Sequence, residues 1–260
     1  MKLTLALLAA LAAIPTLHAQ PAQGSCTFDT HVVKFVDGLA LPGHSFFDDT
    51  EPATAVYLST SPLKAFNPDL YVDPASALSA MSRGDGKSVN LITVIIDRNG
   101  KLEGLGPSGS VSTGFHFTGG TAKNGRIAGH ITGSGGARDE STCDATFDVP
   151  LAGNYGAGKP LPADGGEPGN AMRALWTSLQ NEDTAATLAV IGESFVDAAR
   201  KGTMPQFVVN LGNGNNNRVV GGTLLTPTRA ILDLDLGSTA GRALALKQND
   251  HWRIQDLTFD

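Results

Sequence analysis

Residues 111–132 read VSTGFHFTGGTAKNGRIAGHIT, and the face pattern of this stretch decides the fold class of the first half of the chain. Val111, Phe115 and Phe117 alternate with Ser112, His116 and Thr118. After a break rich in Gly and Asn, Ile127 and Ile131 alternate with Arg126, His130 and Thr132. A period of two marks a strand with one buried face, and two such runs flanking a turn make a hairpin. Further strand-like runs fall at 27–36, 44–47, 55–59, 89–97 and 145–149. DRNGK at 97–101 is a tight turn in which Gly100 is free to take positive φ. Short strands joined by Gly-rich turns predict an antiparallel sandwich or barrel over 26–152.

Residues 73–96, DPASALSAMSRGDGKSVNLITVII, interrupt the strands with a helix. Asp73 suits the N-cap, Pro74 the first helical position, and Ala77, Leu78 and Met81 an apolar stripe. Gly84 stands where a helix stops in the left-handed conformation. Arg83-Gly84-Asp85 is therefore punctuation and not an adhesion tripeptide. Gly86-Lys87-Ser88 does not complete a phosphate loop, because Met81 stands where the first glycine belongs and the helix precedes the strand.

Met1–Gln20 has the layout of a secretory signal: Lys2, an apolar run over 3–14, Pro15, and a small residue at Ala19. The run is shorter than the roughly 20 residues that cross a bilayer. Cleavage after Ala19 is expected, with no transmembrane segment in the mature chain. Cys26 follows Gln23-Gly24-Ser25, a poor lipobox. The product is expected to be soluble and exported, to the periplasm or beyond. The two cysteines, Cys26 and Cys143, sit in matching contexts, SCTFD and TCDATFD. In an oxidising compartment such a pair closes. One disulfide joining the first and last strands of the β-rich domain is expected. The formal net charge is −6, with no Lys/Arg cluster, so nucleic acid and anionic membranes are excluded as partners.

Residues 153–169 are crowded with Gly and Pro and are read as a linker between the β-rich domain at 26–152 and a second domain at 170–260. Ala171, Met172, Leu175, Trp176 and Leu179 recur at helical spacing. Asp183 can cap a second helix with the stripe Leu188, Ile191 and Phe195, and a short third helix is expected over 204–211. GNGNNN at 212–217 is a turn without the aspartates of a calcium repeat. RVVGGTLL, RAILDLDL, RALALK and HWRIQDLTF follow as a meander, with the last turn at Gln248-Asn249-Asp250.

Helices followed by a curved antiparallel meander resemble the NTF2-like (cystatin-like α+β) superfamily, in particular its small exported members of unknown role. The resemblance rests on LWTSLQNED, VVGG, RAILDLDL and HWRIQDLTF, where Trp252-Arg253-Ile254 matches the Trp–basic–aliphatic pattern of the last strand. It covers the last third of the chain and implies a cone-shaped space between helices and sheet. Fold likeness of this kind does not carry function.

Each candidate site has a plain structural alternative. GESFV at 192–196 lacks the closing glycine of a nucleophile elbow and lies in a helical pattern. His116 and His130 share one face of the hairpin as diagonal neighbours, but the sequence supplies no third ligand at fixed spacing, and no metal is expected. FFDDTEP at 46–52 reads as a solvated turn. Trp176, Phe195 and Trp252 are the candidate lining of a ligand pocket. No catalytic residue and no cofactor is identified. The expected fold is two domains, a mainly antiparallel β sandwich or barrel followed by an NTF2-like α+β unit. The expected role is non-enzymatic binding of a small apolar ligand, an envelope glycan or an envelope protein. The alternative is an NTF2-like isomerase, dehydratase or hydrolase with Glu193 or Asp197 as its base.

Overall fold

A computed structural model describes residues 21–28, 30–48, 50–83, 91–107, 113–135, 141–205, 208, 211, 214 and 216–259. The expected signal segment at 1–19 lies outside them, as do the Gly84 helix stop and the start of the quoted hairpin at 111–112. Among the described residues no helix is long and apolar enough to cross a membrane.

Strands dominate, and they pair antiparallel in three sheets. The first is ordered β2 (His31–Lys34), β1 (Ala22–Phe28), β9 (Ser141–Pro150), β8 (Arg126–Gly135) and β7 (Phe115–Lys123). The second is β3 (Asp37–His44), β4 (Pro52–Ser59), β5 (Leu91–Asp97) and β6 (Leu102–Gly106). Their inward residues share one core: Cys26, Ile127, Ile131, Phe147 and Val149 from the first, Val56, Leu58, Ile92, Val94 and Leu105 from the second. Two sheets enclosing one core is a sandwich arrangement. The quoted hairpin pairs Phe117 with Ile131 and His116 with Thr132, so its apolar residues turn inward and its polar ones outward. Asn124 and Gly125, both at positive φ, form its two-residue turn.

The second sheet is covered on its outer side too. Leu39, Leu41 and Tyr57 pack with Phe66 and with Leu78 of α1 (Pro74–Arg83). A strand buried on both faces loses alternation, which is why β4 is buried in an unbroken run from Val56 to Ser59. Asp73 caps α1 through its Oδ1, which accepts the Ala75 and Ser76 N–H groups at 3.1 Å. Met81, expected in the buried stripe, is 46% exposed, since the stripe ends at Leu78.

Three expected elements before the third sheet differ. The run at 27–36 is two strands, with β1 reversing into β2 as Phe28 pairs with His31. The run at 44–47 is the end of β3 and its turn: Ser45 N–H donates to Glu51 O, and Phe46 and Phe47 are exposed. The Gly/Pro stretch at 153–169 is structured. Its Lys159–Pro160 forms β10 on the edge of the third sheet, Leu161 N–H donates to Gly222 O, and α2 (Gly166–Gln180) begins within it.

The third sheet is β10, β11 (Arg218–Thr226), β12 (Arg229–Asp235), β13 (Ala240–Gln248) and β14 (His251–Phe259), in chain order. On one face lie α2, α3 (Thr184–Val190) and α4 (Glu193–Arg200), around Met172, Leu175, Ile191, Phe195, Leu232, Ala243 and Ile254. The single helix expected after Asp183 is broken between α3 and α4. Ile191 leaves the helix, bridges Ile254 in parallel, and Gly192 N–H donates to Ile254 O at 2.8 Å. A side chain at Gly192 would collide with Gln255. The pairing along the free edge of β14 outweighs one more helical turn.

Candidate functional site

The hairpin of β13 and β14 brings several polar and aromatic side chains near one another. Asn249 (φ 49°) and Asp250 (φ 63°) form its two-residue turn, whose twist matches that of the strands. The register sets Lys247 opposite Trp252 and Gln248 opposite His251. Beside this hairpin, against α2 and the end of α3, opens a cleft of 610 Å³. Its polar lining is Glu167, Asn170, Lys247, Asp250, His251 and Arg253. Ala171, Ala174, Ala189, Val190 and Trp252 form the apolar remainder. The Trp252 indole N–H donates to Glu167 Oε2 at 3.3 Å, which ties the ring to the first turn of α2. Arg253 reaches across the sheet edge, one Nη donating to Ile191 O at 3.3 Å, while its buried Nε has no partner.

Of the three pocket residues expected from sequence, the cleft takes only Trp252. Phe195 is in the helix–sheet core, 8% exposed, and Trp176 packs against the same core with its indole N–H buried and unpartnered. The space between helices and sheet is filled: Met172, Leu175, Ile191, Val208, Leu232 and Ile254 are each 0% exposed. Glu193 is exposed on α4, and the Asp197 side chain lies outside the described residues.

A second polar cluster joins the two halves of the chain. Arg229, 6% exposed on β12, donates from its two Nη atoms to the carbonyls of Asp69 and Tyr71. Its guanidinium lies 4.7 Å from the centre of the Tyr155 ring, within cation–π range. The Tyr155 hydroxyl donates to Asp69 Oδ1, and Val72 N–H donates to Asp256 Oδ2 at 2.8 Å. Burial, with the Asp69 hydrogen bond and charge, pushes the Tyr155 phenol up to about 12. Burial raises the Asp256 carboxyl, with the charge of Asp73 adding to it, and the hydrogen bonds from Val72 and Leu257 oppose the shift. Burial lowers the Arg229 guanidinium, while Tyr155 and Asp69 oppose the shift. The geometry of these contacts is that of a joint.

The cysteines meet as expected. Cys26 on β1 stands directly opposite Cys143 on β9 and bonds to it, with Cα atoms 4.0 Å apart. The two strands are the first and last of the sandwich. On the hairpin, His130 Nε2 lies 2.9 Å from Asp144 Oδ1, and His116 stands opposite Thr132. Among the described residues no group of three or more His, Cys, Asp or Glu side chains is placed to hold a metal.

Sequence reading missed the cleft because its members come from the first three turns of α2, the end of α3 and the last hairpin. The available signal was the Asn-Asp turn, which brings Lys247, His251 and Trp252 together. Comparison with models of known protein families gives no match to the chain, and comparison with curated proteins gives none.

Proposed function

We propose that the chain is an exported, non-catalytic binding protein, with an NTF2-like C-terminal unit, and that it holds its ligand in the cleft beside Trp252. The carrying observation is where the open space lies. The helix–sheet interior, where an enzyme of that fold would set a proton-handling group, is filled by apolar side chains. The cleft at the last hairpin is open, and its 610 Å³ falls within the roughly 300–1,000 Å³ of clefts that hold small molecules. Export is supported by the Cys26–Cys143 bond, since such pairs persist in oxidising compartments.

The test is ligand-dependent stabilisation. A ligand that binds only the folded chain raises its melting temperature by mass action. Screening a small-molecule library against the full chain and the Trp252→Ala variant should yield ligands that raise the first melting temperature and not the second. Catalytic turnover of any library member, abolished by a substitution in the cleft, would overturn the reading.

A further inference from the structure

We propose that the ligand of the Trp252 cleft is a neutral, hydroxyl-rich molecule of the saccharide class; the inference rests on the binding reading above. The first argument is charge. The carboxylates of Glu167 and Asp250 stand against the cations of Lys247 and Arg253 in the same lining. An anionic ligand gains from one pair and loses to the other, and a cationic ligand meets the same balance. A neutral ligand suffers neither loss and still finds hydrogen-bonding groups of both kinds.

The second argument is the arrangement of donors and acceptors. Lys247 offers only donors, Glu167 and Asp250 only acceptors, and His251 one of each when neutral. The Asn170 carbonyl is taken by Arg173 Nη2 at 2.6 Å, which leaves its NH₂ group to donate. A hydroxyl both donates and accepts, so adjacent hydroxyls of one ring match such a mixed lining where a purely anionic or purely apolar ligand does not. Among the described residues the Lys247, Asp250 and His251 side chains have no hydrogen-bond partner, so they are free to take one from a ligand.

The third argument is the apolar strip. Trp252 is only partly buried, and the Glu167 hydrogen bond fixes the orientation of its ring. With Ala174 and Val190 it gives the cleft an apolar part beside its polar side chains. A saccharide ring has an apolar C–H face and a polar edge, and the cleft offers a surface for each. A rigid aromatic body with a wet polar end suits such mixed recognition.

The experiment is titration of the full chain with cellobiose, chitobiose, maltose and lactose, followed by backbone amide shifts and tryptophan fluorescence. A uronic-acid disaccharide and the apolar dye anilinonaphthalene sulfonate are run beside them. The expected result is saturable binding of at least one neutral disaccharide, with shifts confined to 247–253, to 167–174 of α2 and to 189–190 at the end of α3. Asn170→Ala and Glu167→Gln, both at exposed positions, should weaken it about tenfold or more with the melting temperature unchanged, and Trp252→Ala should abolish it. Binding of only the uronate overturns the neutral assignment, binding of only the dye overturns the saccharide assignment, and either at this cleft leaves the binding reading standing. Shifts elsewhere, or none with any probe, overturn both.

Discussion

Gly129 shows how one residue sets the packing of the sandwich. It stands on β8 opposite Gly119 and Phe147, and the Phe117 and Phe147 rings stack beside it with centroids 6.2 Å apart. A Cβ built there meets the Phe117 ring and comes 2.7 Å from Phe147 Cζ. Both rings are held in a packed core, so neither yields without strain. Gly129→Ala should cost about 1–3 kcal/mol, the usual range for overpacking, seen as a lower midpoint in urea with an unchanged slope. Gln255 is the opposite case. It occupies the bulge of β14, where Ala245 pairs with Ile254 and Leu244 with Asp256. Its side chain is 1% exposed, and neither amide atom has a partner. An unsatisfied buried polar group costs roughly 1–3 kcal/mol, whereas an apolar side chain of similar shape carries no such cost. Gln255→Leu should therefore raise stability by about 1 kcal/mol in the same urea measurement; a loss of stability would mean that the amide holds something in place.

Among the elements, those with one exposed face were the most legible in the sequence; of the strands covered on both sides, β4 showed only in part, over 55–59, and β3 not at all. The β7–β8 hairpin, the third-sheet meander and the Asp73 cap follow from alternation and capping chemistry, because solvent on one side enforces the pattern. Strand β3 escaped notice because Leu39, Ala40 and Leu41 are all buried, and Pro42 and Gly43 look like a turn. Pro42 is tolerated there because β3 is an edge strand. The break between α3 and α4 was illegible for another reason: its cause is the β14 edge, distant in sequence. The Cys26–Cys143 pairing was legible from context, and its energetic weight follows from the span it closes. The bond links strands 117 residues apart in sequence. In the chain-entropy picture such a closure contributes roughly 4–5 kcal/mol. The Cys26→Ala, Cys143→Ala double variant should lose about 2–5 kcal/mol, and dithiothreitol should lower the melting temperature of the parent but not of the double variant.

At the scale of the molecule, the polar joint around Arg229 ties β12 to the 69–71 segment and to Tyr155. None of this was legible locally, since Asp69, Tyr155, Arg229 and Asp256 come from four distant segments and each is unremarkable in its own context. Arg229→Ala removes charged hydrogen bonds to two carbonyls and the cation–π contact with Tyr155. It should cost about 2–3 kcal/mol and let the halves tumble separately, visible as a rise in the radius of gyration in solution scattering. The pH dependence of the joint follows from Tyr155. Its folded pKa is raised from 10.0 to about 12, so the neutral phenol is the form the joint favours. A group raised in the folded state contributes stability that is complete below its unfolded value and is lost as pH climbs through the folded one. The window is therefore pH 10 to about 12, where the hydroxyl loses the proton it donates to Asp69. Scattering across that window should show the parent chain opening as phenolate absorbance appears. Tyr155→Phe keeps the ring under Arg229 but has no proton to lose. It should be weaker by about 1 kcal/mol at neutral pH and lack the Tyr155 component of the opening. An identical opening in both proteins would assign the transition to another group.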